Sequence, residues 1–204
     1  LPEYRNLENN VEALREEGPE DRVFVQPERG RAHGVEVFAK SPGGSRFEWS
    51  GSYALSVVED RVGGKWVPGP YDQRHAVNLQ LAFRPLPGWS ISAGWIYHSP
   101  WPYTRETFRV GQTIGGNGFV VPEFGPLNSA RLSAYKRADI RMSREFLLEK
   151  GSLLVYLDIF NVLNRENAQA ASHGAWWYEG QLITERGIHP QLEVMPSLGL
   201  RWVF

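Results

Sequence analysis

Apolar and polar residues alternate one for one through most of this chain, and a period of two is the signature of a β-strand with two different faces. From Phe47 to Val57 the odd positions are Phe47, Trp49, Gly51, Tyr53, Leu55 and Val57, and the even ones are Glu48, Ser50, Ser52, Ala54 and Ser56. Val77, Leu79, Leu81 and Phe83 alternate with Asn78, Gln80, Ala82 and Arg84, and Trp89, Ile91, Ala93, Trp95 and Tyr97 with Ser90, Ser92 and Gly94. Ala138, Ile140 and Met142 oppose Arg137, Asp139, Arg141 and Ser143. Leu153, Val155, Leu157 and Ile159 share a face opposite Asp158, and Leu198, Leu200, Trp202 and Phe204 oppose Ser197, Gly199 and Arg201. With Val35, Val37 and Ala39 against Glu36 and Lys40, the pattern predicts seven strands, at roughly 31–41, 47–59, 72–85, 89–98, 134–146, 151–163 and 193–204. A backward extension of the first to Arg22 would pass a kink at Pro27 and Gly30.

The connections alternate in length. Pro42 to Arg46, Pro85 to Gly88 and Leu147 to Lys150 are short, whereas 60–71, 99–133 and 164–192 are long. Short turns at one end and long loops at the other are the plan of an antiparallel transmembrane β-barrel of the outer-membrane kind, with turns in the periplasm and loops outside. A soluble sandwich has no need of that rhythm. Phe47, Trp49, Phe83, Trp89, Phe146, Trp202 and Phe204 fall on apolar faces beside the short turns or the C-terminus, and Trp95 and Tyr97 lie at the other end of their strand. Trp89 to Tyr97 amounts to ~26 Å at ~3.3 Å per residue. At a tilt of ~40° that is ~20 Å of height, near the ~25 Å apolar band between two aromatic girdles.

Composition closes off other classes. A longest apolar run such as Leu153–Leu157 is far short of the ~18 to 20 residues of a membrane helix, which excludes helical spans only. Lys and Arg number 22 against 23 Asp and Glu, so no polybasic nucleic-acid binder is expected. Without cysteine there is no disulfide, thiolate metal site or cysteine nucleophile. The histidines at 33, 75, 98, 173 and 189 lack metal-ligand spacing, and those at 33 and 75 are expected to be structural. Gly111 to Gly118 has no Lys-Ser/Thr after it and is not a phosphate loop. No Gly-x-Ser-x-Gly turn occurs, so an embedded lipase or protease is a weak second class and the chain is expected not to be an enzyme. No cofactor or metal is implied.

The strands also resemble a family. Gly30-Arg31-Ala32-His33-Gly34-Val35-Glu36-Val37, Tyr71-Asp72-Gln73-Arg74-His75-Ala76-Val77-Asn78-Leu79, Arg131-Leu132-Ser133-Ala134-Tyr135-Lys136-Arg137-Ala138-Asp139-Ile140-Arg141 and Asp158-Ile159-Phe160-Asn161-Val162-Leu163-Asn164-Arg165-Glu166-Asn167 resemble, in order, strand motifs of TonB-dependent outer-membrane receptors. Pro196 to Phe204 resembles their closing strand, and the likeness spans about residues 22–204. The resemblance implies TonB-energised uptake of a scarce ligand, such as a ferric siderophore, cobalamin or an oligosaccharide, across the outer membrane of a Gram-negative bacterium. It also implies the partners: outer-membrane lipid, a plug domain and through it TonB, the barrel-assembly machinery and a small-molecule ligand. Trp202 and Phe204 would form the assembly signal. Barrels of this family have about 22 strands, which at about 10 residues each need about 220 residues. Residues 1–204 are therefore expected to be the C-terminal portion of such a barrel, with the acidic segment 1–21 as an extracellular loop. An odd strand count points the same way, because single-chain bacterial barrels normally have an even one. The alternative is a non-energised small porin or adhesin barrel.

Two sets of residues are functional candidates. Glu36, Lys40, Glu48, Arg84, Arg137, Asp139, Arg141, Glu145, Asp158 and Arg201 fall on the lumen face, with both signs on neighbouring strands, and are expected to pair with one another or with a plug. The long loops carry Trp101, Tyr103 and Arg105, and His173, Trp176, Trp177 and Tyr178. Aromatic rings there can stack on flat or sugar-like ligand faces while Arg and His meet acidic groups. The competing expectation is that these side chains pack loop against loop.

Overall fold

The computed structural model describes residues 26–44, 46–112 and 118–204. The acidic segment 1–21, the backward extension to Arg22 and residues 113–117 of the glycine-rich run lie outside the described residues. All regular structure described is β. In chain order the strands are β1 (Arg29–Lys40), β2 (Phe47–Val62), β3 (Lys65–Pro68), β4 (His75–Phe83), β5 (Trp89–His98), β6 (Pro102–Tyr103), β7 (Glu106–Gln112), β8 (Gly118–Phe124), β9 (Ala130–Arg131), β10 (Tyr135–Leu148), β11 (Gly151–Phe160), β12 (Ala168–Tyr178), β13 (Gln181–Pro190) and β14 (Met195–Val203).

The seven alternating segments form one antiparallel sheet, in the order β1-β2-β4-β5-β10-β11-β14, with β3 added beside β2. Each strand neighbours the next alternating segment in the chain, so the sheet is a meander. It does not close on itself: β1 and β14 are its two edges among the described residues.

The register puts like faces together. Phe47 pairs with Phe83, Trp49 with Leu81 and Tyr53 with Val77. Leu79 pairs with Trp95 and Phe83 with Ile91, Ile140 with Ala93, Met142 with Leu157, and Leu157 with Leu198. One apolar face therefore runs unbroken from β1 to β14, and a slip of one residue in any strand would turn its apolar set to the other side. On the polar face Glu48 meets Arg84 at 2.9 Å, Arg141 meets Asp158 at 3.2 Å, and Arg137 meets Asp139 at 3.0 Å. The Arg137 and Arg141 guanidinium groups also lie over the rings of Phe160 and Tyr156, at 4.4 and 4.1 Å. These pairs are solvent-accessible and contribute about 0.2–1 kcal/mol each.

Among the described residues nothing covers either face of this sheet. Tyr135 is the one buried residue in its strands, while Leu79 is 43% and Leu200 69% exposed. The buried core lies instead at the long-connection end, where Tyr103, Leu132, Ala168 and Ala171 pack together with Trp101 and Ala130 against them.

Several expected boundaries change. The long connections 60–71, 99–133 and 164–192 are not open loops, because they contain β3, β6 to β9, and β12 with β13. Gly63 and Gly64 both have positive φ, 55° and 74°, as do Glu179 and Gly180, 48° and 79°. Positive φ at both central residues is the condition for a two-residue hairpin turn whose twist matches its strands. The connection 99–133 prolongs the β5–β10 pair outward, first through β6–β9 and then through β7–β8. In the other direction β10 runs on to Leu148, which leaves only Glu149 and Lys150 as its turn to β11. The third expected strand begins at His75, not Asp72, and the sixth ends at Phe160, not at 163. In both cases the side chains at the expected end turn to bind backbone, as follows.

Candidate functional site

The sheet's long-connection end is tied together by buried polar side chains. Asp72 is fully buried, where Oδ1 accepts the Val58 N–H at 2.9 Å and Oδ2 accepts Arg131 Nη2 at 2.7 Å. Arg131 Nη1 donates to the carbonyls of Asp72 and Pro100. One carboxylate thereby joins β2, the approach to β4 and β9. Burial pushes the Asp72 carboxyl up, but the Arg131 guanidinium, the Val58 N–H and Arg74 outweigh it and hold the group below the usual carboxylate range.

Asn161 and Asn167 do the same work one hairpin further on. Asn161 adopts φ 49°, a left-handed conformation that asparagine tolerates, and ends β11 there. Its N–H donates to Asp139 Oδ1, and its side-chain amide donates to the carbonyls of Arg165 and Leu192. Asn167 accepts the Lys136 N–H and donates back to the Lys136 carbonyl. Buried amides so satisfied fix where β12 leaves the sheet.

Above this rim the structure sorts the candidate loop residues. Tyr103, expected as a candidate for ligand stacking, is 1% exposed and turns its ring into the core. The ring stacks at 6.2 Å on His173, and the hydroxyl accepts Arg186 Nη2 at 2.7 Å. Its polar tip is satisfied by β13 and its apolar body by the core, which is the packing alternative. Trp101 is half-buried against that core and stacks at 5.1 Å on His98, which in turn stacks at 4.6 Å on Tyr135. Trp176, Trp177 and Tyr178 are exposed near the tip of the β12–β13 hairpin, Arg105 is exposed before β7, and the two hairpins touch. Trp177 lies on the same β12 face as His173, opposite Leu182 on β13. The structure therefore brings Tyr103 and His173 together, sets Trp101 on a separate stack, and leaves the three hairpin-tip aromatics and Arg105 accessible. His98, Tyr135 and Arg186 join the site unannounced. His98 and Tyr135 had a signal, since both end alternating strands; Arg186 had none.

Such surfaces can stack and hydrogen-bond. Among the described residues no group of three or more His, Asp or Glu could hold a metal ion. At the other end of the sheet Trp202 and Phe204 meet edge to face at 6.1 Å, both exposed on the apolar face.

Tyr103→Phe removes the acceptor of the Arg186 guanidinium and nothing else. Hydrogen bonds to charged groups contribute about 1.5–3 kcal/mol, so the β12–β13 hairpin should open roughly ten- to a hundredfold more often. Trypsin cleavage after Arg186 reports this directly, and an unchanged cleavage rate would mean that the bond does not hold the hairpin.

Comparison with protein-family models, curated proteins and solved structures finds no match for this chain.

Proposed function

We propose that this chain is part of the wall of an outer-membrane β-barrel, and that the barrel is a TonB-dependent receptor for a scarce ligand such as a ferric siderophore, cobalamin or an oligosaccharide. The uncovered sheet supports the first step. Seven strands carry one continuous apolar face with no core packed on it, and its aromatics gather beside the short turns. In water such a face is an aggregation surface; hydrocarbon chains satisfy it, and a lumen or a plug satisfies the paired charges behind it. The edges at β1 and β14 must then meet further strands, since lipid cannot satisfy their N–H and C=O groups. The second step rests on the sequence resemblance. The residues that carry it include the buried Asp72, Tyr135, Asn161 and Asn167, and Arg131, which is bound to Asp72. Ligand capture falls to the accessible hairpin aromatics Trp176, Trp177 and Tyr178, with Arg105, ahead of a TonB-driven movement of the plug.

The orientation is testable in the whole receptor in vesicles. Spin labels at Leu55 and Leu79 should be relaxed by lipid-phase oxygen, and labels at Ser52 and Asn78 by an aqueous nickel chelate. The reverse pattern would sink the register. Uptake that persists in a strain without TonB would leave the passive barrel as the reading.

A further inference from the structure

We infer that Arg144 is a binding site for the phosphodiester of a membrane phospholipid in the leaflet at the short-turn end. The inference rests on the membrane reading above. Arg144 is on β10, at an even position with Ala138, Ile140, Met142 and Phe146, and so on the apolar face. It is exposed there, and among the described residues no carboxylate pairs with it. Its neighbours are rings instead: the guanidinium lies 5.0 Å from the centre of Trp89 and 4.5 Å from that of Phe146. On the polar face Glu48–Arg84 and Arg141–Asp158 pair across the strands, so a carboxylate within reach is taken up there. Arg144 has its cation against two aromatic rings and, among the described residues, no carboxylate.

Its level in the sheet says where the anion comes from. Arg144 pairs directly with Trp89, the first residue of β5 after a short turn. Four residues separate Arg144 from Leu148, or ~10 Å of height at ~3.4 Å per residue and ~40° tilt. Aromatic rings beside the turns sit at the headgroup level, so Arg144 lies at or just below the phosphates and within reach of them by its own length. An unpaired guanidinium near hydrocarbon is costly, and a planar fork matches a phosphate oxygen pair. Trp89 and Phe146 fix the fork's direction by cation–π contact, and the indole N–H of Trp89 is a second donor at the same level.

Native mass spectrometry of the whole receptor in maltoside detergent, titrated with dioleoyl-phosphatidylglycerol, tests the site. One near-surface Arg contributes about a fivefold change in binding to anionic lipid, so Arg144→Gln should weaken retention about fivefold and Arg144→Lys less. The folded state of each variant is checked by its heat-modifiable mobility. In wild type, phosphatidylglycerol should be retained over a phosphate-free galactolipid, and inorganic phosphate should not displace it. Equal retention by Arg144→Gln, or equal retention of the galactolipid, overturns the inference. Displacement by inorganic phosphate at matched concentration assigns a free-anion site and overturns the lipid. If the Leu79 spin label finds no lipid, this inference and the membrane reading fall together; if the label finds lipid and retention is unselective, only this one falls.

Discussion

Expressed without further strands, the 204-residue chain is expected to aggregate or be degraded and not to yield a closed barrel. The edges decide this. β1 has 12 residues and β14 has 9, and roughly half of each strand's N–H and C=O groups point away from the sheet. In hydrocarbon each such group left unpaired costs several kcal/mol. A row of about ten on each side therefore exceeds the ~5–15 kcal/mol that holds an ordinary domain together. In water the same edges template pairing with other copies, next to an apolar face that nothing covers. Residues 1–204 refolded into detergent should give no monomer whose gel mobility shifts on boiling. A monomeric, heat-modifiable product would sink the open-sheet reading, whereas co-expression with the remaining strands of the proposed receptor should restore one.

The sheet is legible because its apolar and polar faces differ so sharply at a period of two. Leu79 and Asn78 occupy opposite faces for a reason visible in their side chains, and all seven segments entered the sheet in the expected order. The ends were less legible. Asp72 and Asn161 lie next to alternating runs and so read as strand residues, yet each uses its side chain to bind backbone elsewhere, 14 and 31 residues along the chain. The connections were misjudged for a different reason. Gly63-Gly64 and Glu179-Gly180 are turn signals in themselves, but the residues before them do not alternate, charged throughout in Glu59-Asp60-Arg61 and aromatic throughout in Trp176-Trp177-Tyr178, and alternation gives no strand there. Tyr103 was unreadable in principle: an aromatic in a long connection has the same local sequence whether it meets a ligand or, as here, Arg186 from 83 residues away.

Replacing Asp72 by Asn should be among the most destabilising single changes at the rim, and its effect should vanish in acid. The carboxylate is fully buried, accepts from Arg131 and from the Val58 N–H, and has the Arg74 guanidinium 3.5 Å away as a second cation. Asn keeps the shape and one acceptor, but it removes the charge and faces Arg131 with a donor amide. Breaking a buried ion pair costs about 3–5 kcal/mol. The Arg131 side chain is 32% exposed and keeps water and the carbonyls of Asp72 and Pro100 as partners, so about 2–3 kcal/mol is the expected loss at pH 7. The sign of the pH dependence follows from the lowered carboxyl pKa. A group whose folded pKa lies below its unfolded value binds fewer protons when folded, so its contribution is complete above the unfolded value, about 3.9. It is lost as pH falls through the lower folded value. Urea unfolding of the reconstituted receptor should therefore separate wild type from Asp72→Asn by the full amount at pH 7. The two should draw together below about pH 4, as the wild-type carboxyl takes up its proton. Curves that stay parallel down to the lowest pH would show that Asp72 contributes by shape and hydrogen bonding, and that its charge is not what holds β2, β4 and β9 together.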